Sequence, residues 1–165
     1  MPVGSETIVA GSYSATWNSV ALGLFENDAG LPVLEQQSSS EPVMGGAYGK
    51  SVIDDVYQGL NVFIALTCME YKSGPISAFW PYSATLGRMG TIGVLMYTLS
   101  QALVLTAVAG TSAASSPATL TASKAILMPG FASRLVYGPT VRKVPLRFRC
   151  YPFDSGGNVT FWTQT

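Results

Sequence analysis

Two groups of residues in this chain of 165 residues have types and spacing that suggest chemistry at once. Asp54 and Asp55, with Glu70, could supply oxygen ligands to a divalent cation. Adjacent residues of an extended segment point in opposite directions, so a solvated turn or an ion pair between subunits is the favoured interpretation. Gly49-Lys50-Ser51 resembles the end of a phosphate-binding loop, but Met44 stands where that motif requires its first glycine. We therefore expect neither a metal site nor a nucleotide site.

A third group is basic. Five Lys or Arg residues and no acid lie between Arg134 and Arg149, and Tyr151, Phe153 and Trp162 are close in sequence. Such a mixture can bind nucleic acid through phosphates and stacked bases. Complementary acids are present in the same chain, which favours contact with protein. The candidate subunit-interface residues are four acids and four bases: Glu26, Asp28, Asp54, Asp55, Arg142, Lys143, Arg147 and Arg149.

The charges are sorted along the chain. Residues 1–70 carry eight acids and one base, 1 − 8 = −7, and residues 71–165 carry one acid and eight bases, 8 − 1 = +7. Copies of the chain can therefore attract one another where unlike halves meet. This pattern predicts self-assembly.

Catalysis has little support in the sequence. Histidine is absent, which removes the usual acid/base group at neutral pH, and no GxSxG motif is present. Cys68 and Cys150 lie in apolar stretches, where buried reduced thiols are expected and a single bridge stays open. We expect a protein that is not an enzyme and has no cofactor.

Composition predicts one mainly β domain over residues 1–165. Charged residues make up 11% of the chain and hydrophobic residues 48%, so part of the apolar surface is expected to be covered by neighbouring subunits. Residues 1–6 lack the pattern of a signal peptide, which predicts a chain that is cytosolic when made. The uncharged stretch Met89 to Ser123 is long enough for a membrane helix, but its polar residues favour buried strands.

The first half of the chain predicts a hairpin, a loop, a central strand and a short helix. Alternation places a strand at Ser14 to Phe25, which pairs with Leu31 to Gln37. Ser38 to Gly46 is expected to be a mobile loop. Asn61 to Tyr71 is apolar on both faces, as in a central strand, and Ser77 to Tyr82 fits a short helix or an aromatic plug.

Further strands are predicted in the second half. Val144, Leu146, Phe148 and Cys150 share one face of the strand Lys143 to Cys150, where Pro145 indicates an edge or a neighbour on one side only. The fold expected is a β-sandwich or barrel-like antiparallel domain with a short helix and long assembly loops. The other predicted strands are Leu103 to Val108, Leu120 to Met128, Arg134 to Tyr137 and Asn158 to Trp162.

Several segments resemble, in the same order, the tail tube proteins of tailed bacteriophages. These segments are GSYSATWNSVALGLFENDAG (11–30), AYGKSVIDDVYQGLNVFIALTCMEY (47–71), ISAFW (76–80), KAILMPGF (124–131) and VRKVPLRFRCYPFDSGG (141–157). The stretch Met89 to Ser123 has no counterpart in this pattern.

The resemblance implies a virion structural protein that forms hexameric rings stacked into a hollow tube. Loops and an N-terminal segment would join successive rings, and the tape measure and other tail proteins would be its partners. DNA would pass through the lumen without specific binding, so Arg147 and Arg149 should be paired or face away from the channel. Assembly would take place in the cytoplasm of the host bacterium, without a membrane.

Two alternatives stay open. One is another virion protein with a similar sandwich, such as a tail terminator or a head decoration protein. The other is a carbohydrate- or peptide-binding module, in which Trp17, Trp80 and Trp162 would supply flat apolar faces.

Overall fold

A computed structural model describes residues 12–26, 30–46, 51–108, 119–139 and 143–165. This part of the chain is mainly β, with antiparallel strands and two short helices, which confirms the predicted fold class. The helices are α1 (Ser73–Phe79) and α2 (Met96–Leu99). The strands are β1 (Tyr13–Trp17), β2 (Val20–Ala21), β3 (Val33–Gly45), β4 (Ser51–Cys68), β5 (Gln101–Ala107), β6 (Thr119–Leu127), β7 (Val144–Cys150), β8 (Phe153–Ser155), β9 (Asn158–Thr160) and β10 (Thr163–Gln164).

The main sheet of the described chain has the order β2-β1-β5-β6-β7-β4-β3, with β10 added to β6, and β8 and β9 form a separate hairpin. The segment after β2 connects the two sides of this sheet. The Leu22 amide donates to the Ala15 carbonyl of β1, and Phe25 then forms a bridge with Cys68 of β4. The sheet is therefore barrel-like, because this segment joins β1 to β4 at one end.

The core lies inside this curved sheet. Alternate residues of β7 are buried, so the predicted face of Val144, Leu146, Phe148 and Cys150 is confirmed. The indole of Trp17 crosses the core from β1, and its Nε1–H donates to the carbonyl oxygen of Ala125 on β6 at 3.0 Å. This bond satisfies a buried donor and joins two non-neighbouring strands.

Strand β4 is central, as predicted for Asn61 to Tyr71, because β3 and β7 pair with its two edges. It is longer than predicted and begins at Ser51. Strand β7 is not an edge strand. Its Pro145 lies opposite Thr67 of β4 and beyond the residues that pair with β6, so the prediction of a neighbour on one side is confirmed at that position.

Helix α1 packs against the sheet through Gly74, Pro75 and Ala78, which are buried. It begins four residues before the predicted Ser77, because proline is accepted in the first turn of a helix, where its missing N–H leaves no broken bond. A short helix was therefore predicted correctly, but its bounds were not.

The predicted strand Ser14 to Phe25 is wrong. Asn18 and Ser19 have φ values of 51° and 62°, which form a tight turn between β1 and β2. The predicted pairing with Leu31 to Gln37 is also wrong, because those residues enter β3 and pair with β4.

The predicted loop Ser38 to Gly46 is wrong as well, since β3 continues to Gly45 and is paired with β4 along its whole length. The predicted strand Arg134 to Tyr137 has no regular secondary structure. The strands expected at Leu103 to Val108, Leu120 to Met128 and Asn158 to Trp162 correspond to β5, β6 and β9.

The uncharged stretch that suggested a membrane helix contains α2, β5 and the beginning of β6. Residues 109–118 lie outside the described part. Among the described residues, no helix is long and apolar enough to span a membrane.

Candidate functional site

The hairpin of β3 and β4 extends beyond the part of β4 that pairs with β7. Pairing with β7 begins at Val62, whereas pairing with β3 runs from Ala65 out to Ser51. We call residues 40–45 and 51–57 the arm. The arm is about 20 Å long, from six steps of roughly 3.3 Å along β4.

The arm is exposed on both faces. Val56 and Tyr57 are adjacent residues of β4 in unbroken register with β3, so they point to opposite faces, yet their exposed fractions are 55% and 66%. Six large apolar residues of the arm are exposed: Val43, Met44, Val52, Ile53, Val56 and Tyr57. The arm therefore presents an apolar surface of the kind that soluble monomers seldom leave open.

Such a hairpin is weakly stable by itself, because a two-stranded ribbon needs a third strand or a packed face. Both free edges of the arm are also interrupted. Pro42 lies in β3, and the two shifts of the pairing register leave Ile53 and Gln58 of β4 as extra residues without a partner in β3. Proline and bulges protect a strand edge against addition of another strand. The arm is therefore suited to contacts through side chains.

A second uncovered apolar surface lies beside α1 and α2. It is a groove of about 420 Å³, with Trp80, Tyr82, Met89, Ile92, Val94 and Leu99 among its lining residues. We call it the groove. Met89 and Ile92 are 74% and 82% exposed, so the groove is open to solvent.

Trp80 holds the loop that forms the groove. Its Nε1–H donates to the carbonyl oxygen of Arg88 at 2.9 Å, and its ring meets that of Tyr82 edge to face at 5.9 Å. At Gly90 the chain approaches closely, since a Cβ there would lie 2.2 Å from the Tyr82 carbonyl oxygen. The loop depends on a small residue at that position. Partial burial raises the pKa of Tyr82.

The predicted interface residues divide into paired and unpaired groups. Lys143 forms an ion pair with Glu26 in the same chain. Asp54 and Asp55 lie in the arm, and neither has an ion-pair partner among the described residues. Asp28 and Arg142 lie outside the described residues, as do Gly49, Lys50 and the N-terminal segment 1–11.

Arg147 and Arg149 are held on the outer face of β7. The Arg147 Nη2 lies 2.6 Å from the Glu35 Oε2, and its guanidinium stands over the Phe63 ring. The Arg149 Nη2 donates to the Asn61 Oδ1 at 3.0 Å. Both guanidinium groups therefore have polar partners within the chain.

Two tyrosine rings contact cations. Arg149 stands over the ring of Tyr151, and Lys124 over that of Tyr97, 5.0 Å from its centroid. The two tyrosine rings meet edge to face. Trp17 is 5% exposed and belongs to the core, so the interpretation that it offers a flat binding face is wrong.

Metal-ligand clusters and exposed thiols are absent among the described residues. No group of three or more His, Cys, Asp or Glu side chains within them could hold a metal ion. Cys68 and Cys150 are free and buried, and burial raises the pKa of each thiol to about 12. These thiols are protonated and weakly nucleophilic at neutral pH.

The sequence interpretation missed the arm and the groove. A usable signal for the arm was the presence of Val52, Ile53, Val56 and Tyr57 on either side of Asp54 and Asp55, since β-branched and aromatic residues favour a strand that begins well before Asn61. The groove has no comparable local signal, since it depends on the hydrogen bond from Trp80 to Arg88, eight residues away.

A scan against protein-family models finds no match for this chain, and a search of curated proteins finds no relative.

Proposed function

We propose that this protein is a structural component of a bacteriophage virion that assembles with copies of itself into stacked rings, which form the hollow tail tube. The observation that carries the self-assembly is the arm, an apolar hairpin open on both faces. A monomer gains nothing from such a feature, whereas an assembly buries it. The tail tube and the hexameric ring come from the resemblance in sequence.

The charges support the same proposal. Glu41, Asp54 and Asp55 are the charged residues of the arm as defined, and all are acids. Among the bases in the second half of the chain, Lys143 and Arg147 pair with acids of the same chain, whereas Arg88 and Arg134 are exposed. Unlike charges on different surfaces of one chain favour head-to-tail contacts between identical copies, which close into rings or grow into filaments.

The passage of DNA without specific binding is part of the proposal. The partners of Arg147 and Arg149, Glu35 and Asn61, support it because a paired guanidinium attracts phosphate less than a free one. The tape measure and other tail proteins are the further partners proposed. Assembly would occur in the host cytoplasm, and no catalytic step is required.

A binding module is the second candidate, and the groove at Trp80 favours it. An open apolar groove of about 420 Å³ has a size that accepts a peptide side chain or a sugar ring. Another virion sandwich protein, such as a tail terminator or a head decoration protein, would also use the arm for assembly.

The test is negative-stain electron microscopy combined with sedimentation velocity, over a series of protein and salt concentrations. Rings or tubes that grow with concentration support the proposal. The salt series separates the contribution of ion pairs to assembly from that of apolar contacts. Ion pairs weaken as the Debye length falls, whereas apolar contacts persist. Monomers under every condition would overturn the proposal and leave the binding module, for which glycan and peptide arrays give the direct assay.

Matched variants connect the assembly to the arm. The double substitution Ile53→Thr and Val56→Thr keeps β-branched residues in the strand but removes apolar surface. We expect it to shift assembly to higher protein concentration. The control is Val159→Thr on β9, which changes a residue that is 74% exposed outside the arm. Equal effects of the arm variant and the control on assembly would show that the apolar surface of the arm has no specific role in it.

A further inference from the structure

We infer that the arm of one copy docks into the groove of a second copy. The inference rests on the proposed self-assembly and names the surface that receives the arm. Both surfaces are apolar and uncovered: Ile53 in the arm is 55% exposed, and Ile92 in the groove is 82% exposed. Burial of one against the other removes both from water in a single contact.

The two surfaces have complementary charges. The arm carries three acids, Glu41, Asp54 and Asp55, and no base in residues 40–45 and 51–57. Residues 80–99, which form the groove, carry no acid and a single base, Arg88, which lies between the lining residues Gly87 and Met89. The described residues of the arm therefore bring only acids to a groove with one positive charge beside it.

The mode of docking follows from the edge of the arm. Pro42 in β3 and the bulges at Ile53 and Gln58 of β4 interrupt the two free edges of the arm, so addition of a strand is disfavoured. Side chains such as Ile53 and Tyr57 remain available to enter a groove. The groove has a volume of about 420 Å³ and accepts a few apolar side chains.

A second copy is the occupant that the chain itself supplies. Every copy carries one arm and one groove, and these are different surfaces, so the contact is heterologous. Each copy in a closed ring, or between the ends of a filament, then has both surfaces covered. A foreign partner would cover only one of them.

Cysteine cross-linking tests the inference. One preparation carries Ile53→Cys, a second carries Ile92→Cys, and the chains have tags of different size. The mixture is treated with a short bismaleimide. The native thiols are buried, so the introduced cysteines react selectively. We expect a cross-linked species with both tags. The control pairs Ile53→Cys with Val159→Cys, which is also exposed, and we expect a yield at least several-fold lower.

Electron microscopy of the same mixtures separates the two proposals. Rings or tubes without a preferential Ile53–Ile92 cross-link overturn the arm–groove contact and leave self-assembly intact. Absence of both particles and cross-link overturns both. A doubly substituted chain that links within itself at high dilution also overturns the inference, since the groove would then receive the arm of its own chain.

Charge reversal gives an independent test. Arg88→Glu should weaken self-association roughly two- to fivefold, as expected for an exposed ion pair. Adding Asp54→Lys and Asp55→Lys to that variant should restore it. Arg134→Glu, a reversal at an exposed base outside residues 80–99, is the control. A loss that the lysines do not restore would contradict contact between the arm and Arg88.

Discussion

The guanidinium of Arg147 on β7 reaches across β4 to Glu35 on β3, where its Nη2 lies 2.6 Å from the Glu35 Oε2. In crossing, it covers the ring of Phe63 on β4, with 4.7 Å between the guanidinium carbon and the ring centroid. Three adjacent strands are thereby joined on their outer face. Since β3 and β4 continue directly into the arm, this contact stabilises the base from which the arm extends.

The two partners should contribute unequally to stability. Glu35→Gln removes an ion pair whose side chains are 42% and 35% exposed, so we expect a loss below about 1 kcal/mol. Arg147→Ala also uncovers Phe63, which is now 6% exposed, and should cost roughly 1–2 kcal/mol.

Urea unfolding of both variants measures the difference, with the midpoints compared at equal slope. Lys72→Gln is the control, because this lysine is 73% exposed in its own ion pair. Equal losses for Glu35→Gln and Arg147→Ala would show that the cover over Phe63 contributes nothing.

The sequence predicts the buried strands well. In β7 the side chains alternate strictly between core and surface, so Val144, Leu146 and Phe148 can be assigned to one face without a structure. Alternation is less informative in β4, where Val62 and Ile64 face the core but Phe63, on the opposite face, is also buried. Local alternation is sufficient wherever one face of a strand is covered by the core.

Strand β3 shows why the remaining fold could not be predicted. Its residues Ser38 to Pro42 have the composition of a loop, because a strand exposed on both faces requires no apolar alternation. These residues form a strand because β4 pairs with β3 along its whole length. The pairing of Arg147 with Glu35 joins residues 112 positions apart, and no local pattern encodes that contact. The single-strand prediction for Ser14 to Phe25 failed because the turn at Asn18 and Ser19 interrupts it without glycine or proline.

The thiols of Cys68 and Cys150 should be unreactive toward thiol reagents in the folded protein. Burial raises the pKa of Cys150 from 9.0 to about 12, and burial together with the nearby Glu70 charge does the same for Cys68. At pH 8 roughly one thiol in ten thousand is then ionised. We expect no labelling by a chromogenic disulfide reagent over minutes, and two equivalents in denaturant. Rapid labelling of the native protein would contradict the buried positions.

Stability should fall at acidic pH through Glu70. Its ion pair with Lys72, 2.6 Å between Oε2 and Nζ, lowers the pKa of the Glu70 carboxyl below its ordinary 4.5. A carboxyl with a lower pKa in the folded state stabilises the fold fully above the unfolded pKa, and this contribution disappears as pH falls through the folded pKa.

The difference in Tm between the native chain and Glu70→Gln should therefore shrink as pH falls from 6 to below about 4.5, the usual carboxyl range. Lys72→Met tests the cause, since it should shift this change toward higher pH. A difference in Tm that is constant with pH would exclude Glu70 as the titrating group.

Gly74 provides a test in which packing and helix propensity have opposite signs. It lies in α1, where replacing glycine by alanine normally stabilises a helix by about 0.5–1 kcal/mol. Here a Cβ would lie 1.9 Å from the carbonyl oxygen of Ala21 on β2, so the helix must move away from the sheet. We expect Gly74→Ala to destabilise the protein by roughly 1–3 kcal/mol, as overpacking does.

Gly138→Ala is the control, because open space surrounds that position. The urea midpoints give the sign of the change in the free energy of unfolding. A stabilised Gly74→Ala variant would mean that α1 is not held against β2, so that packing of α1 would not support this end of the barrel-like sheet.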